Sequence, residues 1–479
     1  MTSYDYPIIV IGAGAGGLVV AIGAAKAGKK VLLIEKGTYG GDCTNFGCVP
    51  SKSLIASSHI AHQMKECAKW GIEAQTQTLE TSKVLRRVRN IVEEIRSHED
   101  PEALKRHGVE TLTGKASFVD PHTLEVELED GTQKVTGDQI VICAGSRPRI
   151  PAIEGLDQVP YLTNETIFDL ESIPERLLVV GGGPIGSELS QAFQRLGSQV
   201  TIIQSRHHLL AKEELESRQL IEDIFRHEGI NLILGSKPEN AKTDNGEIVL
   251  TVRRIEDGQL QEKKGTHLLL SSGRVANLEN LKLENAGVTT HKKGIVVDRM
   301  GRTSVKHIWA AGDITGEAPF THMAENSARR ILYNLLVPWP FKKKSPFPPL
   351  IPRVTYTDPE VAAVGLTEEE AQEQYGINKI ASYDISLTEV DRAITTGRVD
   401  GFIKIITKKW SSKILGATIV APRGGEMLME IITAMKHNIP LRKLADIIHP
   451  YPIYSQGIRK TADKWLTQTI LPSVKKWIG

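Results

Sequence analysis

The sequence predicts an α/β protein made of two βαβ units, followed by a third domain of the α+β class. Three observations carry this expectation. A glycine-rich turn directly after an apolar strand occurs twice, about 170 residues apart. Each turn leads into a helix and then a second strand. Beyond a proline-rich stretch from Pro338 to Pro352, strands and helices continue without any such turn.

In the first unit, strand Ile8–Ile11 runs into Gly12-Ala-Gly14-Ala-Gly-Gly17, a small-residue helix and strand Val31–Ile34, which ends at Glu35. In the second, strand Leu177–Val180 runs into Gly181-Gly-Gly183-Pro-Ile-Gly186, a helix and strand Gln199–Ile203. The first glycine makes a tight turn, the second admits a pyrophosphate against the backbone, and the third lets helix pack on strand. The helix start then offers unpaired N–H groups and a positive dipole to phosphate. Both units are therefore Rossmann-like dinucleotide sites, and Glu35 stands where an acid accepts ribose hydroxyls. In the third domain, Val354–Tyr356, Gly401–Thr407 and Lys413–Val420 read as strands, and Gly425–Lys436 and Ser455–Leu466 as helices.

Composition narrows the class. The chain has 479 residues, 40% apolar and 24% charged, which suits about three soluble domains of roughly 150 residues. A net charge of +2 gives no field that would draw nucleic acid or anionic lipid. The run Lys342-Lys343-Lys344 reads as solvated linker. The apolar stretch from Ile8 to Ala25 is long enough for a membrane span, but its glycines fit a buried strand, turn and helix better. No signal peptide is evident and no span is expected, so the expected location is cytoplasmic.

The four cysteines are Cys43, Cys48, Cys67 and Cys143, too few for a disulfide-stapled secreted scaffold. Cys67 and Cys143 lie in apolar surroundings and read as packing residues. The pair in Gly40-Gly-Asp-Cys43-Thr-Asn-Phe-Gly-Cys48-Val-Pro-Ser-Lys52 points to redox chemistry. On a regular helix their Cα atoms would stand about 8–9 Å apart. A disulfide needs less than about 7 Å, so the pair requires a distorted first turn. Strain makes such a bond easier to reduce, and a helix N-terminus favours thiolate. Resident metal binding is the other reading of two cysteines, but no second Cys or His pair with ligand spacing accompanies them.

The segment GGDCTNFGCVPSK resembles the active site of the pyridine nucleotide–disulfide oxidoreductases, the family of glutathione reductase, dihydrolipoamide dehydrogenase and mercuric reductase. The likeness runs along essentially the whole chain. The turn at Gly145 and its counterpart at Gly273-Arg274 resemble those closing the two nucleotide-binding segments, and Ala310-Ala-Gly312-Asp313 resembles the second FAD motif, with Ala324 near the flavin ring. Thr357-Asp-Pro-Glu360 resembles the start of the dimer-forming domain.

The resemblance implies FAD held by Gly12, Gly14, Gly17, Glu35, Gly41, Lys52, Gly145, Gly312, Asp313 and Ala324. It implies a nicotinamide nucleotide held by Gly181, Gly183, Gly186, Arg206, Gly273 and Arg274. Cys43 would exchange with substrate, Cys48 would face the flavin, and Lys52 would approach flavin N5 with Glu188 as its partner. It also implies a homodimer, with FAD-binding residues 1–149 and 277–340, NAD(P)H-binding residues 150–276 and interface residues 345–479. Gln204-Ser-Arg206 replaces the acid that would favour NADH, so NADPH is expected over NADH, with Arg206 on the 2′-phosphate.

The C-terminal segment departs from the family. Its thiol reductases carry His-Pro-Thr and then Glu, whereas this chain reads His449-Pro-Tyr451-Pro-Ile-Tyr-Ser-Gln456. With Pro452 as anchor, Tyr451 takes the histidine's place and Gln456 the glutamate's; with His449-Pro450 as anchor, His449 is the acid/base candidate and Tyr454 occupies the acid position. Neither register keeps a carboxylate. No cysteine follows Cys143, so the terminal vicinal pair of mercuric reductases has no counterpart here. The expected activity is reduction of a disulfide or a thiol-bound metal, with a diaphorase-like reduction of quinones as the alternative. Residues Trp465 to Trp477 mix apolar and basic side chains and are expected to pack on the partner subunit.

Overall fold

The apolar runs pair as parallel strands because helices and loops cover both faces of the sheet they form. Tyr6–Ile11 lies between Val31–Glu35 and Gly131–Ile142, with Ile8 opposite Val31 on one side and Gln139 on the other. Every residue of Val31–Glu35 is buried. The computed structural model describes residues 4–73, 79–338, 341 and 350–478. Lys342 to Lys344, and most of the proline-rich boundary, lie outside the described residues.

The chain forms two compact units. The first comprises Met1–Ala152, Pro160–Pro174 and His267–Pro348. Its main sheet runs Glu110–Thr113, Val31–Glu35, Tyr6–Ile11 and Gly131–Ile142, with Ile308–Ala310 parallel to the last. The long strand Gly131–Ile142 serves two neighbours. Its exposed first half pairs antiparallel with Thr123–Leu128, and its buried second half continues the parallel sheet. The helix Ala15–Lys26 follows the first glycine turn, and a Cβ on Gly17 would fall 1.8 Å from Gly12 O. Glycine is therefore the one residue that lets this helix leave the strand so closely.

The second unit comprises Ile153–Val159, Glu175–Thr266 and Pro349–Gly479. Arg176–Val180, Gln199–Ile203 and Asn231–Ile233 are parallel. Five further strands are antiparallel, in the order Arg353–Thr355, Glu360–Gly365, Ile414–Ala421, Phe402–Lys408 and Ile380–Ser386. The helices Gly424–Lys436 and Gln456–Trp465 close over this sheet, burying Leu428, Ile431, Ile458 and Ala462 against Ile403, Ile405 and Ile419. The strands and helices read from periodicity are present, with ends displaced by a residue or two where caps rather than pattern set the boundary.

A buried ionic cluster fastens the helix Pro184–Arg195 within this unit. Arg195 donates to Glu228 at 2.6 and 2.9 Å and to Asp358 Oδ2 at 2.8 Å, with all three side chains at most 8% exposed. Arg398 also pairs with Asp358. Removing one member of a buried cluster leaves uncompensated charge. Arg195→Met is therefore expected to cost about 3–5 kcal/mol of stability in denaturant titration. A change within about 0.5 kcal/mol, the range of ordinary surface substitutions, would show the cluster to be dispensable.

Candidate active site

Cys43 and Cys48 do not share a helix. A one-turn helix, Gly41–Asn45, ends before Phe46, and Cys48 opens a new helix, Cys48–Lys65. The distortion expected of a first turn is thus a full interruption, and it brings the two thiols near enough to influence each other. Gly47 makes the fold-back feasible, since a Cβ there would stand 2.9 Å from Asp42 O and 3.3 Å from Cys43 Cα. Both sulfurs are free thiols, Cys43 half-buried and Cys48 exposed. The bond to the Cys48 sulfur, then burial, then the Cys48 charge hold the Cys43 thiol far above its ordinary range. Of the two thiols, Cys43 is therefore the one held in its protonated form. Thr321 Oγ1 lies 3.5 Å from Cys48 Sγ. Lys52 follows on the same helix, one turn beyond Cys48.

The same unit carries the first dinucleotide turn. Gly14 precedes the helix Ala15–Lys26 without a side-chain cap, so the first amides are available to a phosphate. Around the place a Gly14 Cβ would take, the nearest atom is Gly41 Cα at 3.7 Å, and Gly41 has no room for a Cβ of its own. Gly12 and Gly145 have φ values of +99° and +67°. Glu35 is buried and binds the turn itself, with Oε2 accepting from Ala13 N–H at 2.7 Å and Oε1 from Gly37 N–H at 3.0 Å. Each carboxylate oxygen keeps a second lone pair for a ribose hydroxyl. This cradle fits a bound dinucleotide.

A polar network joins motifs that the sequence presents separately. Ser146 Oγ donates to Asp313 Oδ2 at 2.6 Å, and Arg274 donates to Ser146 Oγ at 2.8 Å and Ser146 O at 2.9 Å. Arg274 also pairs with Asp42 Oδ1 at 3.0 Å, while Asn164 Nδ2 donates to Asp42 Oδ1 and to Phe46 O, each at 3.2 Å. Burial pushes the Asp313 carboxyl up, against the Ser146 bond and the Arg274 charge. Gly312 faces Ala324, whose Cβ lies 3.0 Å from a Cβ built on that glycine. Asp42, Ser146 and Asn164 were not among the expected site residues. Asp42's place beside Cys43 was a visible signal, whereas nothing local marks Asn164. Arg274, expected at the nicotinamide nucleotide, is instead tied into the Asp42 and Asp313 network.

In the second unit, Gly181 has a φ of +114° and Gly183 precedes the helix Pro184–Arg195, in which Gly186 is buried. Nothing approaches within 4 Å of where a Gly183 Cβ would stand, so this turn too is open to a phosphate. Arg206 is exposed after Gln199–Ile203, and its carbonyl accepts from Gly235 N–H at 2.9 Å. The acid near this loop, Glu222, points inward to His208 Nδ1 and Leu209 N–H. Glu188 is buried, and its Oε1 accepts from Tyr356 N–H at 2.8 Å. Gly273, in the first unit, has a φ of +115°.

The C-terminal segment has the carboxylates that its own residues lack. Glu430, on the helix Gly424–Lys436, meets His449 Nε2 at 3.1 and 3.2 Å, and Ile447 O meets Nδ1 at 3.0 Å. The His449 side chain is 5% exposed, and both ring nitrogens face acceptors. Tyr451 is 69% exposed and its hydroxyl donates to Asp391 Oδ2 at 2.9 Å. That carboxylate holds the phenol above its ordinary range, so the hydroxyl is neutral at neutral pH. Gln456 Oε1 is buried without a partner among the described residues. The segment itself has no carboxylate at the glutamate's place in either register, and Glu430 and Asp391 arrive from other elements.

Residues 6–328 match the model of the pyridine nucleotide-disulphide oxidoreductases, and residues 351–462 match that family's dimerisation domain. The chain belongs to this family. It is 35% identical over 464 residues to the mercuric reductase of Streptomyces lividans, covering 96% of each chain. It is 36% identical over 463 residues to that of Shigella flexneri, covering 95% of this chain and 80% of the relative. Among solved structures it is similar to the HOCl-induced flavoprotein disulfide reductase RclA from Escherichia coli, with a TM-score of 0.84, 26% identity, and coverage of 96% of this chain and 99% of that one. A Cu(II) complex of RclA superposes with a TM-score of 0.85.

As a pyridine nucleotide-disulphide oxidoreductase, the protein is a flavoenzyme of mixed α/β fold that uses FAD and a nicotinamide nucleotide and carries a dimerisation domain. Among the described residues, no helix is long and apolar enough to cross a membrane, and no group of three or more His, Cys, Asp or Glu stands ready to hold a metal. Because His449 is enclosed on acceptors, Glu430→Leu is expected to lower stability by about 1–3 kcal/mol in denaturant titration, the cost of an unpaired buried polar group. No loss would mean that the pair is not formed in solution.

Proposed function

We propose that this enzyme takes electrons from NADPH, by way of FAD, to the Cys43/Cys48 pair and delivers them to a metal ion held by thiol ligands. The observation that carries the reading is the pairing of the two thiols across the helix break, where Cys48 and burial together hold the Cys43 proton. When bound, FAD accepts hydride from the nicotinamide and supplies two electrons to the pair. Cys43 is the sulfur that exchanges with substrate and Cys48 the one that faces the flavin. Lys52 and Glu188 carry the charges that the family resemblance places beside it.

The choice of substrate follows from proton handling. Splitting a small disulfide expels a thiolate that an acid must protonate, commonly a histidine titrating near neutrality. Here His449 is enclosed on Glu430 and Ile447 O, and the exposed group is a neutral tyrosine. Displacing thiol ligands from a soft metal asks less of an acid. The names of the relatives, mercuric reductases and a Cu(II) complex of RclA, favour the same class. The family's dimerisation domain supports a homodimer in which residues 345–479 complete the partner's site. Residues 1–149 with 277–340 then form the FAD-binding domain, and residues 150–276 the NADPH-binding domain.

Steady-state assay of the purified holoenzyme tests this reading. With NADPH, turnover of Hg(II) in excess thiol should exceed that of oxidised glutathione or lipoamide by at least about tenfold, the low end of a missing acid–base contribution, and should also exceed that of a quinone. Lipoamide or glutathione turnover equal to that of Hg(II) would overturn the metal assignment, and preferred quinone turnover would favour the diaphorase alternative.

Exposed Arg206 supports NADPH as the electron donor. Arg206→Ala should weaken NADPH use, read as kcat/KM, by about 1.5–3 kcal/mol and leave NADH nearly unchanged. Equal losses with both nucleotides would remove Arg206 from the 2′-phosphate.

A further inference from the structure

The helix Thr321–Leu336 begins beside the thiol pair. Its N-cap residue, Phe320, offers its first amides no side chain, and neither does Gly47 at the start of Cys48–Lys65. Two helix starts without side-chain caps therefore meet where Thr321 Oγ1 stands 3.5 Å from Cys48 Sγ, within hydrogen-bond reach of sulfur. The same hydroxyl also acts on the Cys43 thiol, favouring its charged form more weakly than Cys48 and burial oppose it. A hydroxyl has one hydrogen to donate and two lone pairs to accept with. Between an anionic and a neutral sulfur, its hydrogen goes to the anion, because charge-assisted bonds are about twice as strong.

We propose that Thr321 is a positioning residue of the redox pair: its hydroxyl donates to the Cys48 sulfur and keeps the negative charge of the reduced pair there. Cys43 then retains its proton, with its S–H free to turn toward the Thr321 oxygen or the Cys48 sulfur. The inference rests on the assignment of Cys43 and Cys48 given under Proposed function. The other charged groups nearby are untouched by a change at Thr321. Asp42 is paired with Arg274, Glu99 accepts from Thr44 Oγ1 at 2.8 Å, and Lys52 lies a helical turn beyond Cys48. On the Thr321 helix, the His322 ring stacks on Phe320. Thr321 is hence where a single methyl-for-hydroxyl exchange alters the sulfur's surroundings without changing any formal charge.

The test uses the holoenzyme with Thr321→Val, Thr321→Ala and the conservative Thr321→Ser. Two readouts report on the pair without turnover. One is the long-wavelength absorbance that appears on anaerobic two-electron reduction, when the Cys48 thiolate lies against the flavin. The other is the equilibrium of the Cys43/Cys48 disulfide with dithiothreitol buffers, read by alkylation and mass spectrometry. Valine and alanine should cut the absorbance several-fold and shift the equilibrium about tenfold toward disulfide, a potential about 30 mV more negative. Serine should restore both. Valine and alanine variants that match wild type in both readouts overturn the proposal. Should valine fail to retain FAD, alanine and the flavin-independent dithiothreitol equilibrium still decide. A wild-type enzyme that shows no long-wavelength band overturns the assignment of Cys48, and this inference with it. A band present in wild type and unchanged in the variants removes Thr321 alone.

Discussion

Two cysteines five residues apart on one unbroken helix would sit too far apart to share a proton or form a bond. The interruption at Phe46 and Gly47 removes that obstacle. Cys43 is carried by the short helix before the break and Cys48 by the first turn after it, so the two thiols can act on each other. Gly47 lacks the Cβ that would strike Asp42 O, and Gly41 lacks the one that would strike Gly14. The chemistry of the pair follows from this backbone geometry. One sulfur lies at a helix N-terminus, where negative charge is favoured, and the other keeps its proton because of the first.

The break is held in place from outside. Asn164 caps it by donating to both Asp42 and Phe46 O, and Arg274 neutralises Asp42 while gripping Ser146, which in turn donates to Asp313. The redox turn, the Gly145 turn and the Asp313 motif are thereby parts of one polar network rather than three sites. Partly buried networks of this kind specify a geometry best when each member is satisfied. A change at Arg274 would therefore be felt at the thiols and at Asp313 together.

The C-terminal segment shows how a local departure from family pattern is offset by distant residues. His449 and Tyr451 both have carboxylate partners, Glu430 and Asp391, yet the two pairs differ in kind. His449 is enclosed and steadies its own turn, whereas Tyr451 stands out in solvent with a hydroxyl that stays protonated. The segment therefore presents a neutral hydrogen-bond donor where a thiol reductase presents a titrating imidazole. That difference is the basis of the proposed preference for a thiol-bound metal over a disulfide.

Much of this was legible in the residues themselves. The glycine turns, the strands they follow, the cysteine pair and the acid at Glu35 depend on backbone freedom and periodicity within a few residues of each other. Short-range rules suffice for such features. The resemblance of the Cys43 to Lys52 segment then supplied the family. What could not be read was every arrangement that joins remote segments. Glu35 stitching its own turn, Arg274 bridging Asp42 and Ser146, Thr321 against Cys48, and Glu430 and Asp391 serving the C-terminal segment all require the sheets and helices to be packed first. A side chain's partner across the fold is set by register and burial rather than by spacing along the chain. No local pattern encodes it.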